Sequence, residues 1–243
     1  MRFCLPWPLL LAIQITALAT PDLAVEYTST HSSEQSTQRK TWRLFRDQTS
    51  IEIHETGSPD GEEWILNADQ TVSYRRLFHP ERRAVEFTPR EMKQAGIESN
   101  WLRIAHVIAP NQLALLNPNP DPKNPDLVIH AGRINAQQIR VLWSRSLELP
   151  EEIEILDGTN STHIKLTSHH PLASSPWNRL GHRAYHLIEL VDLADAEHDP
   201  VVKRMLQRFG NGHRCGTQCT NLPQPPPRKV LLTEPAPPPS VAP

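Results

Sequence analysis

Three residues near the C-terminus, His213, Cys215 and Cys219, have side chains suited to soft-metal or redox chemistry. The spacing C-x-x-x-C, followed by Thr220, matches neither a haem attachment site nor a thioredoxin-type C-x-x-C. In an oxidising compartment the cysteine pair forms a local disulfide. With His213 it becomes a three-ligand set for copper or zinc, with no fourth ligand in view. Histidine is plentiful, at 12 residues. His163, Lys165, Thr167 and His169 share one face of a predicted strand, and His182 and His186 share a face of another. If those strands pair, up to four imidazoles meet, which suits Zn²⁺ or Cu²⁺. The same period-two polar pattern also describes a solvated sheet face. The acidic run Glu189, Asp192, Asp195, Glu197 and Asp199 lacks the glycine and ligand spacing of an EF-hand. Its last members sit at the start of the final helix, where the helix dipole favours negative charge.

No Ser-His-Asp or Cys-His hydrolase signature can be read, and no G-x-S-x-G, H-E-x-x-H, P-loop or dinucleotide fingerprint. Glu62-Glu63 and Glu151-Glu152 read as carboxylates exposed at turns or strand starts. The expectation is therefore a non-enzymatic protein with no cofactor. Asn160-Ser161-Thr162 fits a glycosylation sequon, which matters only in a eukaryotic secretory pathway.

The N-terminus is Met1-Arg2 and then an interrupted apolar run to Leu18, with Ala17-Leu18-Ala19 before Thr20. This reads as a secretory signal peptide over residues 1–19 and is too short and broken for a comfortable membrane span. Cys4 stands too early for a lipoprotein signal. Cleavage removes Arg2 and no acid, so the formal charge moves from −2 to −3. A mildly acidic chain has no bulk attraction for nucleic acid or anionic lipid, and no transmembrane anchor is expected after cleavage. The expected location is the periplasm or the exterior.

These residues must be held by a β-rich domain over 20–210. Its organising stretch is Trp42–Phe87. Trp42 and Leu44, Ile51 and Ile53, Trp64 and Leu66, Val72 and Tyr74, then Val85 and Phe87 alternate with Arg43, Glu52, His54, Ser73 and Glu86. That period of two predicts an antiparallel meander with one apolar face. Gly57-Ser58-Pro59-Asp60-Gly61, Asn67-Ala68-Asp69 and His79-Pro80-Glu81 mark its turns. Val25–Ser29 predicts a weaker first strand and 31–38 a loop. Thr88-Pro89-Arg90-Glu91 reads as a capping box opening a short helix that stops near Gly96. A second helix starts at Ser99 or Asn100, carries Trp101, Ile104, Ala105 and Ile108, and ends before Pro110. Together they form a helical insertion over 88–117. Residues 117–125 read as an exposed proline-stiffened loop.

Strands resume at Leu127–Ala131, at Ile139, Val141 and Trp143, at Ile153–Leu156, at His163–Ser168 and at Arg183–Val191, giving about ten strands in all. Asp199 caps a last helix with Pro200 in its first turn and Val202, Met205, Leu206 and Phe209 as its apolar stripe. Residues 211–243 form a Cys-containing, Pro-rich tail expected to be disordered.

The order of signal peptide, long meander, short helical insertion and further strands resembles the periplasmic lipoprotein-carrier superfamily, the LolA/LolB/RseB-like group. The strands Arg43 to Ile53, Trp64 to Asp69 and Val72 to Phe78 carry the likeness in their rhythm, which covers residues 25–195. The chain departs from that group in having no clear helix before its first strand and in its added tail. The resemblance implies a mainly β (α+β) fold: a curved antiparallel sheet or unclosed β-barrel with short covering helices and a C-terminal helix. It implies an apolar groove for a lipid or lipoprotein acyl chain, lined by Trp42, Trp64, Tyr74, Phe87 and Trp143 and covered by Trp101 and Ile104. The opposing expectation is that these residues are simply the packed core. Two other readings stay open: a metal or redox accessory protein using Cys215, Cys219 and the histidines, and a structural or sensory envelope partner acting through the tail.

Overall fold

The computed structural model describes residues 20–179, 184–195 and 198–210. The signal-peptide expectation, His182, His213, Cys215, Cys219 and the tail lie outside the described residues, as does the side chain of Phe209.

The alternating segments form two meanders. The first contains β1 (Leu23–Ser32), β2 (Thr37–Arg46), β3 (Ser50–Glu55), β4 (Asp60–Leu66), β5 (Val72–Phe78) and β6 (Arg83–Phe87). The second contains β7 (Asn117–Pro120), β8 (Leu127–Ile134), β9 (Gln137–Ser144), β10 (Leu149–Asp157) and β11 (Asn160–Pro171). Antiparallel pairing of β1 with β11 fuses them. A last strand, β12 (His186–Glu189), adds to β6 in parallel. The result is one 12-stranded sheet in the order β12-β6-β5-β4-β3-β2-β1-β11-β10-β9-β8-β7, which does not close into a barrel.

The strand count exceeds the ten expected because β7 arises where a loop was predicted. Pro118 and Pro120 occupy an edge strand, where alternate residues need no ladder donor. The predicted loop over 31–38 is likewise shorter. The pairing of β1 and β2 runs to Ser32 and Thr37, leaving a tight turn between them.

Between the two meanders run α1 (Pro89–Gln94), α2 (Trp101–His106) and α3 (Pro110–Leu113). Thr88 and Glu91 form the expected capping box, and the Asn100 side chain accepts from Arg103 N. The second helix ends earlier than its apolar spacing suggests, because Val107 turns to φ +65° and breaks the ladder. These helices carry the chain from β6, beside one edge of the sheet, to β7 at the other. At about 4.8 Å per strand that is about 48 Å of flat sheet. Side chains from both meanders and from the helices nevertheless share one contiguous core. The sheet therefore curls around this apolar side as a half-barrel.

α4 (Asp192–Asp195) and α5 (Pro200–Gly210) complete the chain. Asp199 accepts from Val201 N, which is the expected cap, and Val202 and Met205 are fully buried. Arg208 anchors α5 through Glu81 at 2.6 Å and Asp60 at 3.1 Å. No helix among the described residues is long and apolar enough to cross a membrane.

Candidate functional site

The pleat of the first meander turns Trp42, Leu44, Ile51, Ile53, Trp64, Tyr74, Val85 and Phe87 to the inner side. Three of them form a ladder across adjacent strands. The Trp64 and Tyr74 rings lie 5.1 Å apart, as do those of Tyr74 and Phe87. Tyr27 stacks on Trp42 at 4.6 Å. Of the seven residues expected to line or cover a groove, Trp42, Trp64, Tyr74, Phe87 and Ile104 are buried. Trp101 and Trp143 are half-buried and pack against the same core. The structure thus brings all seven to one face and fills that face with their own side chains.

The helical cover is held to the sheet by a few polar links. The Trp64 indole donates to the carbonyl of Glu98 at 3.0 Å. Arg46, only 1 % exposed, donates to the carbonyls of Ala105 and Leu147 at 2.7 Å and reaches those of Pro21 and Glu148 at 3.3 and 3.4 Å. His106 Nδ1 donates to the Glu148 carbonyl at 2.9 Å, and burial holds its pKa below the ordinary value. His130 of β8 hydrogen-bonds the backbone of Leu113, and burial lowers its pKa too.

The outer side of the first meander is where sequence reasoning went astray. Its alternating polar residues stand opposite the apolar face and Glu62-Glu63 read as exposed, yet Glu52 is 1 % and Glu63 0 % exposed. The cause is a second crossing. Between β11 and β12, the described residues Trp177, Arg179 and Tyr185 lie against β2, β3, β5 and β6. Trp177 packs edge-on against Phe45 at 6.4 Å and lies under the Arg43 guanidinium at 4.9 Å. Arg179 reaches Asp47 at 2.9 Å, Glu52 at 3.4 Å and the Ser50 hydroxyl. Tyr185 then packs on Leu77 and Ala84. Glu62, the other acid of its pair, is also buried, on the inner face, where the Tyr74 hydroxyl donates to it at 2.8 Å. Both acids were expected to be exposed. A strand that turns Trp64 inward must turn Glu62 inward and Glu63 outward, so that signal was present in the sequence.

Under this strap sits a polar cluster. Glu52 and His54 of β3 stand beside Gly61 and Glu63 of β4 and Arg75 of β5. His79, just past β5, lays its ring across Gly61. A Cβ there would lie 2.8 Å from His79 Nε2 and 3.3 Å from His54 Cβ, so only glycine leaves room. The Tyr185 hydroxyl and His79 Nδ1 are 2.7 Å apart. Burial lowers the His79 pKa and raises that of Tyr185. Burial also pushes the Glu63 carboxyl up to about 7, against the pull of Arg75, with Glu52 adding to the rise. Arg75 comes no nearer to it than 3.6 Å. Neither Glu63 oxygen, nor His54 Nδ1, nor His79 Nε2 has a hydrogen-bond partner.

The four-imidazole site does not form among the described residues. β11, with His163 and His169, pairs with β1 and β10, whereas β12, with His186, pairs with β6. His163 instead meets Glu152 at 2.7 Å, in an open setting near Arg140. Clefts of about 340 Å³ and 400 Å³ lie at the β3–β4 turn, where Glu62 and Arg76 are among the lining residues, and over β9–β11.

No family model matches this chain, and no curated protein matches it. Solved structures do. PNGF-II is 11 % identical, with TM-score 0.35 over 73 % of this chain and 33 % of that one. MucB is 10 % identical, with TM-score 0.37 over 66 % of this chain and 56 % of that one. A LolA superfamily protein from Nitrosomonas europaea is 8 % identical, with TM-score 0.27 over 69 % of this chain and 90 % of that one. The chain thus spans a third of PNGF-II and just over half of MucB. At these identities and scores no activity or partner passes from them to this chain.

Proposed function

We propose that this protein is a non-enzymatic, exported binder of an apolar ligand, a lipid or the acyl chain of a lipoprotein. The ligand takes the place of the helical cover on the aromatic face of the open sheet. The observation that carries this reading is the Trp64–Tyr74–Phe87 ladder, roofed by helices of six, six and four residues. Helices this short have no stability of their own, so the roof persists only through its packing and its few hydrogen bonds. Leu102 and Leu115 are 53 % and 59 % exposed on the roof's outer side, so the cover carries apolar side chains outward as well as inward. Half-buried Trp101 and Trp143 mark the rim at which a chain would enter.

The energetics are adequate. An acyl chain gains about 0.8 kcal/mol per buried methylene, so a dozen methylenes offset a binding cost of about 4–15 kcal/mol. No acid, base or nucleophile is required.

Native mass spectrometry after gentle extraction, with displacement of a fluorescent fatty acid, tests the proposal. A lipid-bearing mass and saturable displacement are expected. Trp64→Phe, which removes the indole donor to the Glu98 carbonyl, should speed probe uptake. A clean ligand-free mass together with no displacement overturns the reading.

A further inference from the structure

The geometry points to a divalent transition-metal site under the strap on the outer face, with His54, His79 and Glu52 as ligands and Zn²⁺ as the fitting ion. One ligand atom from each of these residues lies within 4.8 Å of the others. The His54 Nδ1 to Glu52 Oε1 distance is 3.5 Å, too long for a good hydrogen bond. It is close to the separation of about 3.3 Å between ligand atoms in tetrahedral zinc. The remaining closure needs only small movements at the ends of side chains.

Four further observations support the assignment. The face carries two buried carboxylates and two guanidiniums that answer them: Arg179 for Glu52 and Arg75 for Glu63. The imidazole nitrogens are left over, His54 Nδ1 and His79 Nε2, both buried and without a hydrogen-bond partner. His79 is oriented from behind by Tyr185 through Nδ1, so Nε2 is the nitrogen presented, as an outer partner does for a metal-bound histidine. Gly61 provides the space in which that ring lies. Glu63, opposite Glu52 in register and fully buried, has no hydrogen bond at either oxygen beyond its 3.6 Å ion pair with Arg75, and adds a second carboxylate beside the set. Imidazole and carboxylate donors suit zinc, and three protein ligands leave a position open.

The site lies on the face opposite the aromatic ladder, so it stands independently of apolar binding.

The test uses the full chain in a Cys215→Ser/Cys219→Ser background, which removes the tail thiols. Zn²⁺ bound after dialysis is measured by elemental mass spectrometry, and folding is checked by circular dichroism. One Zn²⁺ per chain is expected. His54→Ala and His79→Ala should each weaken binding by more than about a hundredfold, beyond the range of outer partners. Tyr185→Phe should keep the stoichiometry and weaken binding about ten- to a hundredfold. His163→Ala should change nothing. Zinc retained in both His54→Ala and His79→Ala, or absent from the background protein, overturns the assignment. Where those variants do not fold, the cysteine-free background protein decides. Adding Zn²⁺ must shift the ring resonances of His54 and His79 in nuclear magnetic resonance spectra, and ring resonances unmoved by Zn²⁺ overturn the site.

Discussion

The two faces of the first meander are built from the same strands and are each crossed once by the chain, yet they finish differently. On the inner side the crossing is helical and apolar, and the buried charged groups have partners, while Trp42 Nε1 and His130 Nδ1 do not. Arg46 is surrounded by backbone carbonyls, and Glu62 meets the Tyr74 hydroxyl. On the outer side the crossing is irregular and polar. It buries Glu52 and Glu63 and leaves carboxylate and imidazole atoms without hydrogen bonds. Polar atoms buried without a hydrogen bond cost free energy, so the outer face carries a larger penalty of this kind than the inner one. The difference separates a face that is finished by folding from one that folding leaves incomplete.

Substitutions can break or sharpen this contrast. The largest effect is expected at Arg46→Ala. It strips donors from the carbonyls of Ala105 and Leu147 and loosens the N-terminal segment, the cover and the β9–β10 turn together. Urea unfolding should show a loss of about 4 kcal/mol, since each orphaned buried acceptor costs about 1–3 kcal/mol. Trp64→Ala removes one rung of the ladder and its bond to Glu98, for a loss of about 3 kcal/mol by the same measurement. An inner face that tolerated either change would not be the finished core described here.

On the outer face the sign reverses. In metal-free buffer, Glu63→Met removes a buried carboxyl that has no hydrogen bond and only a 3.6 Å pair with Arg75, while Arg75 keeps Glu86 at 3.3 Å. Stability should rise by about 1 kcal/mol, seen as an increase in Tm. A clear loss would mean that the outer face is finished after all.

The smallest effect concerns acid. In the closed fold burial, helped by the nearby Arg46, holds the His106 pKa below its ordinary value, with the Glu148 carbonyl and carboxylate opposing. Once released from the cover it regains the ordinary value. Below about pH 6.5 the released form therefore binds the proton first, and closure weakens as the pH falls. Probe uptake should quicken on acidification, and His106→Gln, which keeps a donor for Glu148, should flatten that dependence.

Much of this architecture can be read from residue order. Alternation across Trp42–Phe87 and capping at Thr88 and Asn100 reappear as β2–β6, α1 and α2, and the residues expected to line or cover a groove share one face, packed into the core. The outer cluster could not be read in the same way. Glu52 and His54 have the spacing of a solvated strand face, and the cover over this side includes Arg179 on Glu52 and Tyr185 on His79, each more than a hundred positions away. Local pattern specifies which side a residue takes and says nothing of what later passes over it. The histidine cluster on β11 failed for a related reason, since β12 joined the far edge of the sheet. The nearest local clue to the outer site was Gly61 inside a strand, a sign of close approach by another group.

An open sheet must still keep its two edges from recruiting more strands. At one edge Asp121 N donates to Leu127 O, so the donors of β7 that point toward β8 come from alternate positions, and Pro118 and Pro120 fall between them. An incoming strand would find acceptors there and no N–H at either proline. Self-association into chains is discouraged by two ring closures, and the half-barrel stays unclosed without becoming sticky.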